Sequence, residues 1–136
     1  MPDETRSFAA ARCVFVYGTL RRGGSNDITR LHPPARFLGN ARVLGRLYHL
    51  GAYPGMTLGG EGWVHGEVYA IEPALEAVLD DIEGLGEDPI DEYVKREIMV
   101  ELEGREVECL VYEINPRYVL SAPSITHGDW LTLGES

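Results

Sequence analysis

The chain has 136 residues, 22 of them acidic against 12 basic, for a formal net charge of -10 at pH 7. That length suits one compact domain. The acidic balance excludes the basic footprint that a nucleic-acid or anionic-membrane partner requires, but not a small anionic substrate, because a local pocket can oppose the global charge.

The opening segment MPDETRSFAAAR carries no long apolar run, so residues 1-11 are expected to form a frayed tail ahead of a single domain over 12-136. No stretch reaches the roughly 18 apolar residues of a membrane span. Cys13 to Tyr17 is a β-branched and aromatic run closed by Gly18, which predicts a buried strand. The loop GTLRRGGSN follows, and Pro33-Pro34 ends whatever short turn lies beyond it. Ala41 to Leu50 reads as a further strand, with Gly45 marking a bulge or a close approach. Gly51 to Gly62 is dense in turn residues, and Trp63 to Ile71 predicts the next strand.

Glu72-Pro73 opens a helix, with proline in the first turn where its missing donor costs nothing. Leu75, Val78, Leu79 and Ile82 fall at i, i+3, i+4 and i+7, the spacing of one helical face, and Gly84 supplies the stop. A polar loop from Leu85 to Glu92 leads into a predicted hairpin, Tyr93 to Leu102 and Glu106 to Ile114, across Glu103-Gly104-Arg105. Asn115-Pro116 ends it, and the tail carries His127-Gly128-Asp129-Trp130, with Trp130 expected to cover part of the core. Many strands and one clear helix predict an α+β domain with a curved or barrel-like sheet; helices do not alternate with strands as a doubly wound fold demands. The two cysteines, Cys13 and Cys109, each fall in a predicted strand and read as buried thiols of a reducing compartment, and the cytoplasm is the expected location.

Two features carry chemistry. A glycine-rich turn after a strand can aim successive backbone N–H groups into one concavity that holds carboxylate or phosphate. GTLRRGGS lacks the Gly-Lys-Ser/Thr end of a P-loop and the spacing of the dinucleotide fingerprint, so on the residues alone it is as readily a plain turn as an anion nest. The second feature is Glu83, roughly 90° from the centre of the apolar helix face at about 100° per residue. It sits in the last turn, where the helix dipole disfavours negative charge. An acid held there can have a raised pKa and carry protons, while a solvated acid at the end of an acidic helix is the competing reading. His32, His49, His65 and His127 are scattered and show no metal-ligand spacing.

FVYGTLRRG, GEVYAI, LDDIEG, EYVKR and GDW occur in that order between about Val14 and Trp130. In these motifs the chain resembles the γ-glutamylcyclotransferase-like, or AIG2-like, family, whose signature is Tyr-Gly-Ser/Thr-Leu near the N-terminus. The resemblance implies a small mixed β-barrel with short flanking helices, a small-molecule γ-glutamyl substrate, and conversion of a γ-glutamyl amine or peptide to 5-oxoproline and free amine. It implies no cofactor and no metal, and a monomer or weak homodimer. Tyr17, Gly18, Thr19 and Leu20 match the loop that holds the glutamyl end through backbone donors, which extend to Arg21. Glu83 matches the acid/base, Tyr17 and Tyr93 are implied pocket walls, and Asn26 is implied to brace the loop. Two departures stand out: GLGEDPIDE between Glu83 and Tyr93 is longer and more acidic than the usual connection, and Lys95 takes a position where arginine is common. A non-catalytic small-carboxylate-binding module keeping the same pocket is the competing functional reading.

Overall fold

In the computed structural model, which describes residues 12–51, 53–85, 92–125 and 127–130, the apolar run after Arg12 forms β1 (Arg12–Val16). β1 pairs antiparallel with β3 (Pro54–Ile71) on one side and parallel with β5 (Arg105–Ile114) on the other. A strand with neighbours on both edges and core on both faces needs apolar side chains at every position, not at alternate ones. Val14 and Val16 accordingly enter one core cluster, with Leu75 and Leu79, while Phe15 and Tyr17 enter the other, with Met56 and Val64.

β2 (Arg36–His49) and β3 form a long hairpin that begins five residues before the expected start at Ala41. The turn-rich stretch Gly51 to Gly62 is also more ordered than its composition suggests. Pairing starts at His49 with Pro54, runs to Gly45 with Leu58, and resumes at Leu44 with Trp63. Residues 59–62 bulge out of register, and Gly59 and Gly60 take φ values of 91° and 90°, which are open to glycine. Opposite the bulge, a Cβ on Gly45 would stand 2.6 Å from both the Met56 Cε and the Thr57 carbonyl oxygen, so this is the close approach its sequence context predicts.

The helix α1 (Pro73–Ile82) buries Leu75 and Leu79 completely, with Val78 packed beside them. Gly84, at φ 82°, ends it in a Schellman arrangement: the Leu85 amide donates to the Asp80 carbonyl (2.7 Å) and the Gly84 amide to Asp81 (3.2 Å). β4 (Tyr93–Leu102) and β5 form the expected hairpin, its two-residue turn made by Glu103 and Gly104 at φ 53° and 83°. Arg105 belongs to the strand, because it pairs with Leu102. A short 3₁₀ turn (Pro116–Val119) leads to β6 (Ser124–Ile125), which adds two residues to β2, and Trp130 packs against the second core cluster and the His49 ring.

The sheet order is β4-β5-β1-β3-β2-β6, antiparallel except at β1 and β5. The fold is α+β, as expected. Its hydrogen-bonded ladder ends at β4 and β6, so the barrel-like curvature comes from curling that brings β2 against β4, where Leu102 presses on Gly39. Cys13 and Cys109 face each other across the β1–β5 pair as free thiols, and burial pushes the Cys109 thiol up to about 12. Among the described residues no helix is long and apolar enough to cross a membrane. The expected N-terminal tail, residues 1–11, lies outside the described residues, as do residues 86–91 of the acidic connection.

Candidate active site

The strand β1 delivers its chain directly into a cavity of about 330 Å³ between the loop that follows, the C-terminus of α1 and the start of β4. Internal hydrogen bonds consume the loop's carbonyls. Gly18 O accepts from the Arg21 amide (3.0 Å), Thr19 O from Asn26 (2.9 Å) and Leu20 O from Ile28 (2.9 Å). The amides of Gly18, Thr19 and Leu20 donate to no other described residue, and all three residues line the cavity. A loop with occupied acceptors and free donors is suited to an anion. Asn26 braces it further, its side-chain amide donating to Thr19 Oγ1 (3.1 Å). Gly18 has no room for a side chain, because a Cβ there would lie 2.6 Å from Pro54 Cγ.

Arg21 is placed differently from the backbone donors beside it. It is 8% exposed, its Nε donates to Glu67 (3.1 Å) and a terminal nitrogen to Asp129 (2.6 Å), and it is absent from the cavity lining. Glu67 also accepts from the Arg22 amide (2.9 Å) and the Tyr69 hydroxyl (2.9 Å). The loop is thus two-faced: one face grips the protein's own carboxylate, and the other opens on the cavity.

Glu83 is the C-cap residue of α1, and its carboxylate accepts no hydrogen bond from any described residue. Burial, with a smaller contribution from the negative charge of Glu92, raises its pKa from 4.5 to about 7. The Schellman turn at Gly84 fixes its direction, and Ile82, the last residue of the predicted apolar face, lines the cavity beside it instead of the core. Tyr17 and Tyr93 are both walls. The Tyr17 hydroxyl donates to the Tyr112 carbonyl (2.6 Å) and accepts from the Met56 amide (3.3 Å), while the Tyr93 hydroxyl donates to the Pro54 carbonyl (2.6 Å). Burial pushes both phenols well above the ordinary tyrosine range, so they remain neutral.

A match to the family model described as gamma-glutamyl cyclotransferase, AIG2-like, covers residues 14–132, from β1 to beyond Trp130. The chain belongs to that family. An Escherichia coli K12 relative, the gamma-glutamylcyclotransferase family protein YtfP, is 34% identical over 125 residues, covering 87% of this chain and 95% of that protein. A Vibrio cholerae relative is 46% identical over 72 residues, which is 52% of this chain and 60% of its own length. Among solved structures, an AIG2-like protein from Mus musculus superposes with a TM-score of 0.70 at 27% identity, covering 88% of each chain.

Within this AIG2-like fold the expected site residues separate into two groups. Tyr17, Gly18, Thr19, Leu20, Glu83 and Tyr93 meet at one cavity, and Arg21 belongs to the scaffold behind it. Lys95 also stays outside the lining: its ammonium bridges Glu76 (2.5 Å) and Asp80 (3.0 Å) of α1, a task for a compact charge that does not call on arginine's planar fork. Asp80 in turn accepts from the Tyr112 hydroxyl (2.8 Å), so β4 and β5 together hold the helix that carries Glu83. Sequence reasoning missed Tyr53, Pro54 and Glu92, all in the lining. The only available signals were the Tyr53-Pro54-Gly55 turn and the acid beside Tyr93; neither shows that the β2–β3 turn folds onto the β1 loop.

Proposed function

We propose that the protein is a cofactor-independent γ-glutamylcyclotransferase that releases 5-oxoproline and a free amine from a γ-glutamyl amine or peptide. The observation that carries this reading is the pairing in one cavity of a partly buried carboxylate, Glu83, with the amides of Gly18, Thr19 and Leu20, none of which is hydrogen-bonded to any described residue. In this mechanism Glu83 takes a proton from the substrate's α-ammonium. The freed amine nitrogen attacks the γ-carbonyl carbon and closes a five-membered ring, placing the electron pair on oxygen. As the carbonyl reforms, the bond to the leaving nitrogen breaks and Glu83 gives that nitrogen its proton. The ring nitrogen, still carrying two protons, gives one to the freed carboxylate to become the neutral lactam, and this second proton leaves on the departing amine or in water. Glu83 thus cycles between carboxylate and acid, which suits an acid whose pKa lies near the working pH. Ring closure is intramolecular, so the cavity's main contribution is to hold the chain folded on itself. The amides neutralise either the α-carboxylate or the developing oxyanion, and in both roles they are donors fixed before the substrate arrives.

The test is release of 5-oxoproline from a panel of γ-glutamyl compounds, by wild type and by a folded Glu83→Gln variant. Turnover retained in the variant refutes the role given to Glu83. Three free amides alone would also serve a carboxylate-binding module. That alternative predicts thermal stabilisation by 5-oxoproline in both proteins and product from neither.

A further inference from the structure

We infer that Glu92, oriented by Tyr53, selects substrates whose leaving amine carries a second positive charge. This rests on the cyclotransferase reading and extends it to the departing group. Among the described residues the cavity is lined by two carboxylates, Glu83 and Glu92, and by no lysine, arginine or histidine. Glu83 is committed to proton transfer, which leaves Glu92 as a charge the chemistry does not use.

Glu92 is fixed at both backbone and side chain. Its carbonyl accepts from the Asn115 amide (2.8 Å), and its Oε2 accepts from the Tyr53 hydroxyl (2.6 Å). Its Oε1 accepts no hydrogen bond from any described residue. Tyr53 is 36% exposed and Tyr93 only 9%, their ring centroids 6.5 Å apart, so Tyr53 and Glu92 form the outer, wetter side of the cavity. With the glutamyl end on the amides of the loop, the leaving group is directed to this side. A carboxylate with a free oxygen beside two aromatic rings is a receptor for an ammonium group: it offers a charge-assisted hydrogen bond, and the ring faces attract the same charge. An anionic or apolar leaving amine would leave Glu92 unmatched or opposed.

The experiment compares two γ-glutamyl amides of equal length, γ-glutamyl-(4-aminobutyl)amide and γ-glutamyl-n-pentylamide, which differ in an ammonium against a methyl. Wild type is expected to favour the ammonium compound at least tenfold in kcat/KM, with the preference shrinking as salt is raised. Glu92→Gln is expected to bring the ratio to within threefold of one, and Tyr53→Phe to reduce it partly. Equal kcat/KM values in wild type overturn the inference, as does a preference that survives Glu92→Gln. A Glu92→Gln variant that slows both compounds by the same factor also overturns it, since the charge would then serve the common glutamyl end. If wild type releases 5-oxoproline from neither compound, the cyclotransferase reading fails. Calorimetric binding of the same pair to wild type and Glu92→Gln then decides the role of Glu92 by the same ratio.

Discussion

Replacing Glu83 by glutamine is expected to abolish turnover and, at the same time, to stabilise the fold above neutral pH. The acid's pKa rises from 4.5 to about 7 on folding, because burial penalises the ionised form and Glu92 adds repulsion. A raised carboxylate pKa means that the folded state binds more protons than the unfolded state between those values. Stability is therefore lost as pH rises through that window, and the full penalty is present above about 7. At about 1.36 kcal/mol per unit the shift corresponds to about 3 kcal/mol, an upper figure because the cavity admits solvent. Glutamine keeps the shape and removes the charge. The assay is urea unfolding of wild type and Glu83→Gln at pH 4.5 and pH 8. Taking the difference between the two proteins cancels the many other groups that titrate. Glu83→Gln should gain about 2–3 kcal/mol on wild type between the two pH values. A difference that does not change with pH would show that Glu83 is solvated when ionised, and the proton-transfer argument would lose its physical basis.

In steady-state kinetics, kcat/KM for a γ-glutamyl substrate should rise with pH through about 7, the value to which burial moves Glu83, and a profile flat from pH 5 to 8 would contradict this. Gly18→Ala should destabilise the protein by about 1–3 kcal/mol in urea unfolding, because its Cβ would meet Pro54 Cγ at 2.6 Å inside a packed wall. Arg21→Met should cost about 3–5 kcal/mol by leaving Glu67 buried without its partner. Arg22→Ala, whose side chain is exposed, should stay within about 0.5 kcal/mol of wild type in the same measurement, since only its amide holds Glu67.

What could be read from the residues followed their periodicity. Leu75, Val78 and Leu79 repeat at helical spacing, and the Glu103-Gly104 turn is flanked by two alternating runs, so α1 and the β4–β5 hairpin fall where expected. The first nine residues of β3 were hidden because Gly55, Gly59 and Gly60 mimic a loop; their pairing with β2 depends on Gly45, across the hairpin, making room for Met56. The site was legible in its backbone donors and its acid. It was not legible at Arg21, whose amide was expected among the ligand donors but donates to the Gly18 carbonyl, while its side chain turns to the protein's own carboxylates. Its partners, Glu67 and Asp129, stand 46 and 108 residues away, a distance over which no local pattern speaks. Tyr53 and Glu92 were missed for the same reason, since only the curl of the sheet brings them to the cavity.

The stop at the end of α1 also separates two tasks. The backbone of Glu83 is held by hydrogen bonds that run back into its own helix and by a turn complete at Leu85, while Lys95 of β4 and Tyr112 of β5 hold the helix itself. Aiming the carboxylate is the task of the turn, and seating the helix that carries it is the task of the two strands.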